Sequence, residues 1–359
     1  MKLPTENPPS GNLGDTLYLL INPPWDAEHG YNFSTPGAIY FGKDTYLYIA
    51  DSNMIYQADA AGTIHATITL ESPYSILSIS QDELMRLLIV TGEKRIYKID
   101  MGPAGDRTPK LAFEYGSTAY VADSASHLFK QRQMIDSTDR FTSITDIPYD
   151  DKSYFVSVSS DQINNGRILW FWGDADDAEL SDSLFDSRFL NAEADSFKNP
   201  IVGTGNGITT TTEPNMIYAY DLSGVMHLVV CQDAGSYPVH DMKFERQPWN
   251  RYWVFNYTHF PGQADIISPG MFDQPSAATV DLQGNIYVAD KGDERQCGAY
   301  KFSKNGILLE TFCEPDSTDI FLTPGGISYD IFGDRRTAFI ADTGNRRILR
   351  FKLSTDIEQ

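Results

Sequence analysis

Residues 324–351 read PGGISYDIFGDRRTAFIADTGNRRILRF, and residues 275–302 read PSAATVDLQGNIYVADKGDERQCGAYKF. A third copy, PGAIYFGKDTYLYIADSNMIYQ, occupies residues 36–57. Each opens on Pro and continues through a short alternating run, a polar turn, a run ending in Ala-Asp, a second turn and a third run. The Ala-Asp pairs are Ala50-Asp51, Ala289-Asp290 and Ala341-Asp342. Runs of five to seven strand-forming residues punctuated by Gly, Asp and Asn turns predict antiparallel strands. Ile286, Tyr287 and Val288 give the mixed apolar surface of a strand covered on both sides. An aspartate leaving such a strand keeps its acceptors for turn amides, and Arg347 stands where it can reach back to Asp342 in a charge-assisted bond. The reading of Asp51, Asp290, Asp342 and Arg347 is therefore structural.

These repeats resemble the NHL repeat, GNIYVAD (284–290) and IADTGNRRILRF (340–351) most closely. The resemblance is strong over about the last 90 residues, clear over 36–57 and weaker between. It implies an all-β propeller with four-stranded antiparallel blades. Less regular segments keep the rhythm: 75–100 and 141–174 give three strands each, 216–232 a hairpin around Leu222-Ser223-Gly224, and 240–260 another turning at residues 247–250. Counted with the three clear copies they make seven units; six is the alternative, because 175–215 resists assignment. The last copy lacks an outer strand, and TLYLLIN (16–22) has strand character, so the N-terminal strand is expected to close the last blade and leave no open edge.

The chain of 359 residues suits one closed propeller over 15–359, preceded by a polar, Pro- and Gly-rich tether over 1–14. That tether reads either as a frayed terminus or as the stretch following a removed signal segment or lipid anchor. Two inserts interrupt the rhythm, at about 116–139 and at 173–199. Within the first, 122–135 permits a short helix, with Ala125, Leu128 and Ile135 on one side. The second is acidic and reads as a surface loop. Its Asp174, Asp176, Asp177, Glu179 and Asp182 lack EF-hand spacing, which favours a solvated loop over a calcium site.

Charge and composition narrow the function. Asp and Glu number 49 against 28 Lys and Arg, a net charge of −21 that repels phosphate backbones and disfavours nucleic acid, including RNA binding of the NHL kind. Catalytic patterns are weak. Metal-dependent lactonases of this fold place a Glu where Thr35-Pro36-Gly37 stands here, and amidating lyases need several zinc-bound histidines. His29, His65, His127, His227, His240 and His259 show no metal-ligand spacing. Gly203-Thr204-Gly205-Asn206-Gly207 is followed by no helical pattern and reads as a tight loop.

The expectation is thus a non-catalytic binding propeller outside the cytosol, with a protein or glycan partner, no cofactor and no metal, and with any membrane attachment made through an anchor outside this chain. The alternative is a lactonase- or lyase-like enzyme with a metal in the central channel. Trp170 and Trp172 alternate as core residues would. Trp249, after Pro248 and before Asn250 and Arg251, is the better surface anchor, so Trp249, Asn250 and Trp25 are the binding candidates. Trp25 also follows Pro23-Pro24 near the closing strand, where it could plug the seam. A three-residue turn at Lys304-Asn305-Gly306 would pair Ser303 with Ile307 and set Cys297 opposite Cys313, close enough for a disulfide and leaving Cys231 unpaired.

Overall fold

A computed structural model describes residues 18–92, 95–114, 140–148, 150–159, 167–172, 214–232, 238–247, 250–256, 264–268, 270–292, 298–312, 321–331 and 336–354. After the short β1 (Tyr18–Leu20) comes a first blade of β2 (Pro36–Phe41), β3 (Leu47–Asp51), β4 (Met54–Ala58) and β5 (Ile64–Thr69). A second holds β6 (Ile76–Gln81), β7 (Arg86–Thr91), β8 (Arg95–Asp100) and β9 (Lys110–Glu114). The third sheet has three strands, β10 (Arg140–Ile147), β11 (Asp150–Ser159) and β12 (Arg167–Trp172). The fourth holds β13 (Pro214–Leu222), β14 (Val225–Gln232), β15 (Val239–Gln247) and β16 (Asn250–Phe255). The fifth holds β17 (Pro275–Val280), β18 (Ile286–Asp290), β19 (Gly298–Phe302) and β20 (Leu308–Thr311). The last orders β1, β23 (Arg347–Leu353), β22 (Thr337–Asp342) and β21 (Pro324–Tyr329).

The protein is an all-β propeller. Among the described residues it has five four-stranded antiparallel blades and one three-stranded sheet. The innermost strands β2, β6, β10, β13, β17 and β21 neighbour one another in that order, and β21 returns to β2. The count of seven units is corrected. The hairpins 216–232 and 240–260 belong to one sheet, because β14 pairs with β15 from Cys231↔Val239 to His227↔Lys243. The turn inside the first hairpin is the one read from sequence: Ser223 (φ 58°) and Gly224 (φ 81°) both take the left-handed conformation of a two-residue hairpin turn.

Each junction between neighbouring sheets buries its own apolar cluster. Tyr48, Ile55, Ile79 and Ile89 fill the first, Leu88, Phe141 and Val156 the next, and Phe155, Ile217 and Val230 the one after. Val229, Ile266 and Val288 fill the fourth. The second strand of a blade is consequently covered on both faces; every residue of Leu47–Asp51, Ile286–Asp290 and Thr337–Asp342 is buried.

Closure follows the expected route. β1 pairs antiparallel with β23, Tyr18 facing Leu353 and Leu20 facing Phe351. The chain then bridges Trp25 to Ile348, and Trp25 is only 2% exposed among Phe33, Phe41, Leu47 and Phe339. It therefore fills the seam between last and first blades and is not a surface anchor. Tyr18 enters the opposite junction, its hydroxyl 3.0 Å from that of Tyr287 and donating at 3.1 Å to Tyr329. The closing sheet also needs glycine at one contact. A Cβ on Gly326 would collide with the carbonyl of Gly37 on β2.

The β19–β20 hairpin turns as read, Ser303 N donating to Ile307 O at 2.8 Å. A bulge then shifts its ladder, so that Phe302 faces Leu308 but Lys301 faces Glu310 and Tyr300 faces Thr311. The register counted from sequence for the cysteine pair is off by one beyond that bulge. Cys297 and Cys313 themselves lie outside the described residues, as do the tether 1–14 and the inserts 116–139 and 173–199. No helix among the described residues is long and apolar enough to cross a membrane.

Trp25→Ala is expected to destabilise the protein by about 3–5 kcal/mol, the usual range for truncating a buried Trp. Removing residues 1–24 should likewise cost several kcal/mol, since Tyr18 and the closing ladder are lost. Urea denaturation of both variants checks this; wild-type midpoints would overturn the assigned role of the segment.

Candidate functional site

The six innermost strands run in the same sense, so the ring has a leading face where they begin and a trailing face where they end. Between the faces lies an axial cavity of about 40 Å³. Its wall includes Tyr40, Ser78, Ser80, Thr145, Tyr218, Ser276 and Ser328, with Leu77 among them and 45% exposed. A water needs roughly 10–15 Å³ by such a measure, so the axis has room for a few waters.

The wall is polar for a structural reason. An innermost strand is an edge, and its outward amides need acceptors. Neighbouring hydroxyls supply them. Ile144 N donates to Ser78 Oγ at 3.2 Å and Asp146 N to Ser80 Oγ at 2.9 Å. Ile217 N donates to Ser143 Oγ at 3.2 Å and Ala219 N to Thr145 Oγ1 at 3.0 Å. Phe41 N donates to Ser328 Oγ at 2.8 Å, joining last blade to first.

On the leading face the repeat aspartates hold the chain just ahead of each opening proline. Asp51 accepts from Ser34 N at 2.8 Å and Thr35 N at 2.6 Å. Asp290 accepts from Asp273 N at 2.9 Å and Gln274 N at 2.7 Å. Asp342 accepts from Leu322 N at 2.6 Å, Asn345 Nδ2 at 2.8 Å and Arg347 Nε at 2.8 Å. Burial pushes the Asp290 and Asp342 carboxyls above their ordinary range, against the pull of these bonds. All three side chains are inaccessible. The exposed groups nearby are Tyr74 (50%), Leu77 and Leu322 (49%), at the strand starts of the second and last blades with the first blade between them.

On the trailing face the β2–β3 turn carries Lys43 across two junctions. Its ammonium lies 2.6 Å from Asp146 Oδ2 on β10 and 2.9 Å from Glu83 Oε1 on the β6–β7 turn. Lys43 N donates to Gln81 Oε1 at 2.6 Å, and Gln81 Nε2 donates to Asp44 Oδ2 at 3.1 Å. Burial lifts the Asp146 carboxyl to about 7, with Lys43 opposing and Glu83 and Asp82 adding to the rise. Burial would lower the Lys43 ammonium, but Asp146 and Glu83 together raise it. Burial also pushes the Tyr218 hydroxyl up to about 12.

The sequence-predicted residues fall into different places. Asp342 and Arg347 meet; Asp51 and Asp290 repeat the arrangement in their own blades. Trp25 is internal. Asn250 lies on β16, opposite Gln247, and its side chain lies outside the described set, as do those of Trp170, Trp172 and Trp253 and the whole of Trp249. Lys43, Glu83, Asp146 and the hydroxyl girdle were missed. The alternation Ser78-x-Ser80 and Ser143-x-Thr145 on two first strands was the available signal for the girdle. Among the described residues no group of three or more His, Cys, Asp and Glu is placed to hold a metal ion.

No family model matches the chain, and no curated protein matches its sequence. Solved structures do match in fold. A structural genomics protein of unknown function from Bacteroides thetaiotaomicron superposes with a TM-score of 0.56 at 12% identity, over 90% of this chain and 71% of that one. An auxiliary nutrient binding protein from Bacteroides ovatus gives 0.55 at 12% identity, over 89% and 69%. Regucalcin, a calcium-binding protein from Agrobacterium tumefaciens, gives 0.52 at 9% identity, over 89% and 90%. At these identities the likeness is one of β-propeller fold.

Asp342→Ala and Ser80→Ala are each expected to lower stability by about 1–3 kcal/mol, since each orphans buried donors. Chemical denaturation reads the loss. Wild-type stability in either variant would remove that residue from the framework.

Proposed function

We propose that this chain is a non-catalytic binding propeller related to NHL-repeat propellers, and that it recognises a protein or glycan partner outside the cytosol. The size of the axial cavity carries the reading. Small-molecule pockets run to roughly 300–1,000 Å³, far above the 40 Å³ of this axis. A partner is therefore met on a face. The leading face supports this best, because Tyr74, Leu77 and Leu322 expose apolar surface there in an arc of three blades. The Bacteroides ovatus neighbour is described as an auxiliary nutrient binding protein, which adds nutrients to the partners worth screening. Kinship with NHL propellers is supported by GNIYVAD and IADTGNRRILRF, whose aspartates occupy equivalent clamps.

A pull-down from the native source, paired with a glycan array, tests the reading. Tyr74→Ala and Leu322→Ala should each weaken the captured interaction by about tenfold or more while leaving the melting temperature unchanged, as expected of a binding anchor. Unchanged binding in both would move the site off this face. A stoichiometric metal found by elemental analysis of the purified protein, together with hydrolytic or lyase turnover, would overturn the non-catalytic reading. The extracytoplasmic setting has its own check. Fractionation of the native source should recover the protein outside the cytosol; recovery in the cytosolic fraction would overturn that setting.

A further inference from the structure

Three features of the trailing face come together at Asp146. Its side chain is 8% exposed. One carboxylate oxygen faces the Lys43 ammonium at 2.6 Å, and the other, Oδ1, is buried with no hydrogen-bond partner. The same ammonium is shared with Glu83, which is 42% exposed and solvated. One positive charge thus serves two carboxylates, and the trio carries a net negative charge when all three are ionised. A bare, buried carboxylate oxygen is expensive, whereas a neutral carboxylic acid in the same place is much less so. The trio is neutral when one proton is held, and the buried member gains most from holding it.

The surroundings agree. Asp82, adjoining Glu83, adds negative charge toward Asp146 although it is paired with Arg86 at 2.5 Å. Tyr40 on β2 and Tyr218 on β13 face the carboxyl as neutral phenols, both held protonated by burial, and Tyr154 lies opposite in the ladder on β11, likewise raised by burial. Asp44, on the turn of Lys43, is engaged by Tyr48 and Gln81. Lys43 is the cation bonded to Asp146.

We propose that Lys43, Glu83 and Asp146 form a proton-operated latch at the trailing end of the axial cavity. With Asp146 ionised, Lys43 is tied to β10 and the β2–β3 turn bridges the first blade, the second blade and the third sheet. When Asp146 takes a proton from water, that charge pair is lost, Lys43 is left to Glu83 and solvent, and the turn loosens. Mild acidification therefore frees this face without breaking the hydroxyl girdle beneath it.

Carbon-13 NMR of the aspartate carboxyls tests the latch, with the Asp146 signal assigned by its absence in Asp146→Asn. The titration midpoint should fall near 7, in keeping with the burial of the group. Glu83→Gln, at an exposed position, should lower that midpoint by removing a neighbouring negative charge, and Lys43→Met should raise it. Hydrogen exchange at the amides of residues 42–45, corrected for intrinsic rates, should be severalfold faster on the acid side of the midpoint in wild type and indifferent to it in Asp146→Asn. The stability linkage has a fixed sign. A carboxyl raised on folding stabilises most below its unfolded value of 3.8 and loses that contribution as pH rises through the folded midpoint. The melting temperature of Asp146→Asn should accordingly rise relative to wild type from about pH 5 to about pH 8. A midpoint near the ordinary carboxylate value, or a midpoint near 7 with no response in the turn, would overturn the proposal.

Discussion

An edge strand with nothing beside it is the constraint on which this fold depends. Each sheet presents its innermost strand to the axis, and among the described residues these strands form no ladder with one another. Their outward amides would be buried without acceptors, at a cost of about 1–3 kcal/mol each. Side-chain oxygens from the next sheet answer this at junction after junction. Ser80 serves Asp146, Thr145 serves Ala219, and Ser328 serves Phe41. Where the need is an acceptor's, the roles reverse: Asn215 Nδ2 donates to Pro275 O at 3.0 Å and Ser276 Oγ to Pro324 O at 2.7 Å.

That solution limits what the axis can do. Hydroxyls short enough to bond a neighbour's backbone draw the strands close, and Gly326 lies so near the Gly37 carbonyl that a Cβ there would collide with it. The channel narrows to space for a few waters, and its polar groups are already engaged. The two faces of the ring differ. In the first, fifth and last blades the leading face is fixed by buried aspartates that grip the backbone ahead of the opening proline, so the loops there start from a rigid base. The trailing face depends at the first three sheets on a partly buried ion pair, a weaker and more conditional fastening.

This division explains what could be read from the sequence. The clamps are local: Asp342 meets Leu322, Asn345 and Arg347 within one repeat, and the motif announces itself. Closure was legible because TLYLLIN supplies what the last copy lacks. The blade count was not. The strands of 216–232 and 240–260 carry no Ala-Asp signature, and nothing local tells two hairpins in one sheet from two separate units. Outer strands were missed for a different reason. In β5, Ile64–Thr69, only Ile68 is buried, so the strand has almost no apolar alternation. Lys43 and Asp146 are 103 residues apart, and only the ring brings them together.

The closing strand shows how little of the ring is held by ladder bonds alone. β1 has three residues, and backbone bonds contribute only about 0.5–1.5 kcal/mol each. Held only by that ladder, it would fray. Its grip comes from anchors on either side of the last sheet. Tyr18 enters the junction with the fifth blade, where its hydroxyl meets Tyr287 and Tyr329 and its ring packs 5.3 Å from Phe312. Trp25 enters the junction with the first blade, stacked on Tyr31 at 5.6 Å and beneath the Arg350 guanidinium at 5.0 Å. The N-terminal segment therefore seals both faces of the last sheet as well as its edge. Losing it would expose two apolar junctions together with one open strand, so the ring is expected to unfold as a unit and not to lose a single blade.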